Sequence, residues 1–160
     1  MAAIARPVQV ATRVRGVPGA ARFRRWLSAA LPPDAQVTLR VVNGAEARML
    51  NRDFRGRDYA TNVLTFAYGG APLSADIVLC AQVVSREARE QGKSVADHYA
   101  HLTVHGALHA LGFDHERARD AVRMESREVE ILGTLGIDNP YESATAIGSK
   151  KTKARRVTAA

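Results

Sequence analysis

The sequence predicts one α+β domain, a small mixed sheet of about four strands covered by helices. Segments with strand alternation come early in the chain, and segments with helical periodicity come late. A length of 160 residues, with 46% hydrophobic and 24% charged side chains, is that of one ordinary globular domain with its own core. Glycine and proline signals separate the segments cleanly enough to order them. The domain is expected over residues 1–147, with a disordered basic tail over 148–160.

From Pro7 to Val14, apolar Val8, Val10 and Val14 alternate with Gln9, Ala11 and Arg13, the period of a half-buried strand. Pro18 suits the first turn of a helix that carries Phe23, Trp26, Leu27 and Leu31 on one face and stops at Pro32 and Pro33. Val37, Leu39 and Val41 give a second strand ending at the turn signal Asn43-Gly44. A short helix follows through Ala47, Leu50 and Asn51, and then a loop with Arg55, Gly56 and Arg57. Asn62 to Tyr68 and Leu73 to Cys80 read as an antiparallel hairpin around Gly69-Gly70. From Gln82 the pattern turns helical, with Val83, Val84 and Ala88 on one face and Gly92 at the end. Ser94 with Asp97 three residues on marks the N-cap of a helix from Val95 to Leu111, stopped by Gly112. A last helix spans Ala118 to Leu135, with Val122, Met124, Val129, Ile131 and Leu132 at looser apolar spacing.

Charge and targeting signals narrow the function classes. Residues 1–33 carry six Arg and no acid, and residues 143–160 carry five Lys or Arg and no acid, within a net charge of +7. Basic ends around a mildly acidic centre suit a polyanion, although they also serve solubility alone. No stretch approaches the roughly 18 apolar residues of a membrane helix. The start, with Arg6, Arg13 and Arg15, lacks the apolar run of a secretory signal and has too little serine for a transit peptide. The single cysteine, Cys80, excludes a disulfide within the chain and reads as a buried, inert thiol beside Ile77, Val78 and Leu79. A cytoplasmic protein is expected.

Chemistry concentrates in histidine. All five histidines, His98, His101, His105, His109 and His115, fall within eighteen residues. His105 and His109 are four apart on a predicted helix, so one turn places both imidazoles on one face, as chelation of a single ion needs. Gly112 can take the left-handed conformation that folds the chain back and brings in His115. Three neutral imidazoles leave a position open on a metal, the arrangement of a catalytic site at the end of a helix in the C-terminal half. The residue types leave zinc, nickel, copper and iron open. His98 and His101 read as helix-surface residues, although His101, one turn before His105, can instead line the same cleft or support a metal ligand from behind. Asp114 can orient a ligand imidazole, receive a proton or cap the next helix. The HxxxHxxGxxH spacing is also that of metzincin proteases, but Gly106 stands where those enzymes carry the glutamate base.

Residues His101–His115, HLTVHGALHALGFDH, resemble the signature of the YbeY endoribonucleases, the bacterial ribosomal-RNA maturation factors. LNRDFRGRDYATNVLTF from Leu50, ADIVLC from Ala75 and the stretch from Met124 to Tyr141 resemble three further blocks of that family, so the likeness covers roughly residues 8–142. Ala60 and Ala75 depart from the usual proline and glycine. The resemblance implies one zinc per chain on His105, His109 and His115, with His109 and Arg55 as catalytic residues. It implies a single-strand-specific, metal-dependent endoribonuclease that matures the 3′ end of small-subunit ribosomal RNA, and a role in ribosome biogenesis and quality control. Its implied partners are the RNA precursor, the small ribosomal subunit and assembly factors. Arg55 would hold the scissile phosphate; on the residues alone it could equally pair with Asp53 or Asp58. Arg48, Arg52 and Arg57 either extend a phosphate-binding surface or are solvated charges. The general base, and the choice between water and the substrate's 2′-hydroxyl as attacking group, stay open. Two other classes fit the same residues: a metallohydrolase or metalloprotease, and a non-catalytic assembly factor with a structural metal.

Overall fold

The computed structural model describes residues 6–142, so the expected tail over 148–160 lies outside the described residues. Its elements run β1 (Val8–Ala11), α1 (Ala20–Ala30), β2 (Gln36–Val42), α2 (Gly44–Arg55), β3 (Val63–Gly69), β4 (Ser74–Cys80), α3 (Ala81–Gln91), α4 (Val95–Ala110) and α5 (Ala118–Thr134). The four strands form one mixed sheet in the order β1-β2-β4-β3. β2 pairs in parallel with β1 and β4, and β3 closes the predicted antiparallel hairpin on β4. The fold is α+β as expected, with β3 and β1 as the free edges.

Two cores follow from the alternation of the strands. Leu39, Val41, Ile77 and Leu79 point to one face, where they pack with Phe23, Trp26 and Leu27 of α1 and with much of α4 and α5. The residues between them, including Val42, Val78 and Leu64, point to the other face and pack beneath Ala47 of α2 in a much smaller cluster. Helix α4 is the centre of the first core. Eleven of its sixteen residues are buried, which is why its apolar residues run almost all round rather than along one stripe. Its start is the predicted cap, with Asp97 N donating to Ser94 Oγ at 3.0 Å.

Several boundaries move. β1 is only four residues long and largely exposed, because it is an edge strand with one neighbour. α2 runs through to Arg55, so Arg55 ends a helix instead of lying in a loop, and Gly56 closes it. In α5 the buried face is Met124, Glu128, Ile131 and Leu132, while Val122 is exposed. An acid thus occupies a core position that the looser apolar pattern had concealed.

At Gly106, α4 lies directly against the sheet. A Cβ there would stand 3.1 Å from Ile77 Cγ2, 3.1 Å from Thr65 Oγ1 and 3.3 Å from Val63 Cγ2. The absent side chain also lets Thr65 Oγ1 donate to the Gly106 carbonyl at 3.1 Å, which joins β3 to α4. Because all three neighbours are β-branched and held in strands, we expect Gly106→Val to destabilise the fold by about 2 kcal/mol or more, overpacking outweighing the gain in helix propensity. Urea unfolding followed by circular dichroism checks this, and a variant as stable as the parent would contradict the close approach.

Candidate metal centre

His105 and His109 lie one turn apart near the C-terminal end of α4, and their rings stand edge to face with centroids 4.6 Å apart. Beyond the helix, Gly112 takes φ of +101°, and the chain turns back as predicted. The ring of His115 then comes within 5.4 Å of His105 and 4.9 Å of His109, centroid to centroid. One nitrogen from each of the three lies within 4.8 Å of the others. Asp114 serves the turn itself. Its Oδ1 accepts from the backbone N of His115 at 2.6 Å and of Glu116 at 3.1 Å, and α5 starts without a side-chain cap. The cap expected on the next helix thus falls instead on the turn that carries His115.

Oxygen acceptors set the tautomers. His105 Nδ1 donates to Glu128 Oε2 at 2.6 Å, and His109 Nδ1 donates to the Phe113 carbonyl at 3.0 Å. With both Nδ1 atoms protonated, both Nε2 atoms present bare lone pairs, and these face each other at 3.1 Å. Two acceptors so placed repel unless a cation lies among them. Two nitrogen ligands of a tetrahedral zinc stand about 3.3 Å apart, so the spacing fits a metal closely. His115 adds a buried Nδ1 with no hydrogen-bond partner. The donor set therefore fits a divalent ion with three nitrogen ligands.

Glu128 is the residue that sequence reasoning missed. It is fully buried on α5 and accepts from His105, from His101 Nε2 at 3.0 Å and from the Tyr141 hydroxyl. The available signal was an acid at core spacing, four residues after Met124 and three before Ile131. This network also corrects the surface reading of His101 and His98, which are 9% and 2% exposed. Both are core residues with a carboxylate partner each: Glu128 for His101, and Glu87 for His98 at 2.8 Å. His101 thus lies behind His105, joined to it through Glu128.

Burial fixes the charge states. Desolvation pushes His101 down to about 4 despite the opposing pull of Glu128. Desolvation, with the neighbouring His105 and His115, pushes His109 down to about 4. Burial and His105 also lower His115. Burial alone would raise Glu128, but the hydrogen bonds from His101 and His105 hold its carboxyl well below the usual range. Neutral imidazoles facing an ionised carboxylate are the state in which a metal is bound.

Arg55 sits at the free edge of β3. Its Nη2 donates to the Thr65 carbonyl, and its guanidinium lies 5.3 Å from the centroid of Phe66. Asp53 and Asp58 are taken by Arg52 and Arg48, at 3.2 and 2.7 Å, so Arg55 has no carboxylate partner among the described residues. Through Thr65 it is two hydrogen bonds from Gly106, the neighbour of His105. Gly106 itself faces the sheet, where a glutamate of the protease kind has no room and no path to the histidines. Cys80 is buried and free, its thiol raised by desolvation, and takes no part in the centre.

A family model described as Endoribonuclease YbeY matches residues 20–136. The Endoribonuclease YbeY of Thiobacillus denitrificans is 53% identical over 139 residues, covering 85% of this chain and 95% of that protein. That of Albidiferax ferrireducens is 58% identical over 121 residues, covering 75% and 82%. Among solved structures, the solution structure of TM1509 from Thermotoga maritima aligns with a TM-score of 0.51 at 22% identity, over 81% of this chain and 91% of that one. That last likeness is one of fold.

The depressed histidines give a pH dependence of definite sign. Between their ordinary value of 6.5 and the folded value of about 4, His101 and His109 bind more protons in the unfolded chain than in the folded one. Stability therefore rises with pH across that window and is lost as pH falls through it. Glu128, lowered in the fold, adds a loss of the same sign below the ordinary carboxylate range. Thermal melts of metal-free protein should show Tm falling steadily from about pH 6.5 to pH 4; a flat or rising Tm would contradict the assigned states.

Proposed function

The chain belongs to the YbeY endoribonuclease family and is an endoribonuclease, and from that premise we propose that it is a zinc enzyme cutting single-stranded RNA at the three-histidine centre. Its substrate on this reading is the precursor of small-subunit ribosomal RNA, cut near the 3′ end. Its setting is the cytoplasm, in ribosome biogenesis and quality control, with the small subunit and assembly factors as partners. No helix among the described residues is long and apolar enough to cross a membrane.

The observation that carries the reading is the pair of facing Nε2 lone pairs on His105 and His109, with His115 folded in beside them. These three residues would hold one zinc. When bound, the ion supplies a positive charge that polarises water or a phosphoryl oxygen. The protein does the rest. Glu128 holds His105 by its Nδ1 proton, and the Phe113 carbonyl holds His109, so both rings keep their lone pairs directed inward. Arg55, always cationic and without a competing carboxylate, binds the non-bridging oxygens of the scissile phosphate and stabilises the charge that grows on them. Its tie to the Thr65 carbonyl leaves the other face of the guanidinium fork for that phosphate.

We expect purified protein to carry about one zinc per chain by mass spectrometry, and His109→Ala to lose both the metal and cleavage of single-stranded RNA. Metal retained in that variant would overturn the ligand assignment; cleavage retained without metal would overturn the mechanism. Arg55→Ala should keep the metal and lower kcat/KM by about a hundredfold or more. Glu128→Gln should weaken zinc retention about ten- to a hundredfold in chelator competition, and unchanged retention would remove Glu128 from the support of His105.

A further inference from the structure

The face of the sheet opposite α4 is covered by α2 and by Val83 at the start of α3, and its small core thins out along β3 from Leu64 to the partly buried Phe66. Further along β3 that face carries Phe66 and Tyr68, and α2 contributes Phe54, whose ring stands edge to face on Phe66 at 5.6 Å. Among the described residues Phe54, at 66%, and Tyr68, at 64%, are the most exposed large apolar side chains, and Met49 on α2 and Tyr59 just after it are exposed at 43% and 51%. Such rings cost free energy in water, and α2 and β3 hold Phe54 and Tyr68 in place. Tyr68 is tethered by its hydroxyl, which donates to Asp76 Oδ2 at 2.7 Å. Phe54 is fixed by its packing on Phe66.

The cations around these rings differ from those elsewhere on α2. Arg48 and Arg52 are committed to Asp58 and Asp53. Arg55 and Arg57 have no carboxylate within ion-pair distance among the described residues; Arg57 Nη1 meets the Tyr59 hydroxyl at 3.5 Å. The patch is also tied to the helix that carries His105. Arg55 connects through Thr65 to Gly106, beside His105, and its guanidinium lies 5.3 Å from the centroid of Phe66, on which Phe54 packs. Exposed aromatic rings interleaved with uncommitted guanidiniums are the pattern that holds an unpaired strand, the rings taking bases and the cations taking phosphates.

We propose that Phe54, Tyr59 and Tyr68 form a base-stacking platform for the unpaired nucleotides flanking the cleaved bond, with Arg57 and Arg55 holding the phosphates between platform and metal centre. The proposal rests on the endoribonuclease reading for the identity of its ligand. It makes selection of single-stranded RNA a property of this surface, since a base paired within a duplex cannot offer its face to a ring. The platform reads no sequence, because every base has a face to stack.

The test is binding of metal-free full-length protein, by fluorescence anisotropy, to a labelled single-stranded RNA and to an abasic ribose-phosphate strand of the same length. Phe54→Ala and Tyr68→Ala should each weaken binding of the base-bearing strand about five- to a hundredfold and leave the abasic strand unchanged. Phe54→Trp should retain binding, and its new fluorescence should be quenched by the base-bearing strand. Unchanged affinity in both alanine variants, or no quenching, would overturn the platform and leave the patch to a protein partner. Equal losses on both strands would also overturn it, since stacking would then not be the cause. Because no metal is present, binding that obeys the prediction in a protein without RNA cleavage would uphold the platform while the endoribonuclease reading failed.

Discussion

A carboxylate without access to water holds the site together. Glu128 lies in the core between α4 and α5, where an unpaired charge would cost several kcal/mol. Its two oxygens are met by His101, His105 and the Tyr141 hydroxyl. Those contacts tie α4 to α5 and to the segment that follows α5, and they leave His105 in one tautomer. The direction of its lone pair then decides where His109 and His115 can be useful. A carboxylate that could reach water would fix none of this, because it could turn away from the imidazole at little cost. The polar network therefore contributes geometry more than stability: an apolar residue of similar shape would pack at least as well, but would leave His105 free to rotate.

The second constraint is the approach of α4 to the sheet. One side of the helix is pressed against β3 and β4 at Gly106, and the opposite side meets α5 through Glu128. A helix clamped on both sides can present rigid side chains only at its end, and His109 and the returning His115 are found there. The same contact binds β3 to α4, and through β3 it positions Arg55 from the far side of the sheet edge. Two arms of the site, from elements distant in sequence, thus share one fixed point.

Much of this was legible in the chain. The HxxxH pair, the glycine stop and the third histidine are local, and local spacing is what helical periodicity and turn chemistry determine. The hairpin at Gly69-Gly70 and the Ser94 cap are legible for the same reason. What escaped depends on contacts between distant segments. His98 and His101 read as surface residues because a histidine's burial is decided by its partner, and those partners, Glu87 and Glu128, lie on other helices. Arg55 read as a loop residue because nothing near Asn51 shows that the helix would continue another turn before Gly56. Glu128 was hidden by its own type: a charge at a core position loosens an apolar stripe, so the residue that organises the site made its helix harder to delineate.

The glycine beneath the site also bears on how such a centre can change over time. Two of the four glycine codons differ from a glutamate codon by a single base, and the metal cage here has the spacing of a peptide-cleaving one. One or two base changes would therefore spell the protease motif in full. In this fold the new side chain would meet Ile77, Thr65 and Val63 before it met any solvent or substrate. The step is short in sequence and closed in space, so the two chemistries cannot be exchanged by drift at that position. A lineage could pass between them only by first moving α4 off the sheet, at the expense of the contact on which its core is built.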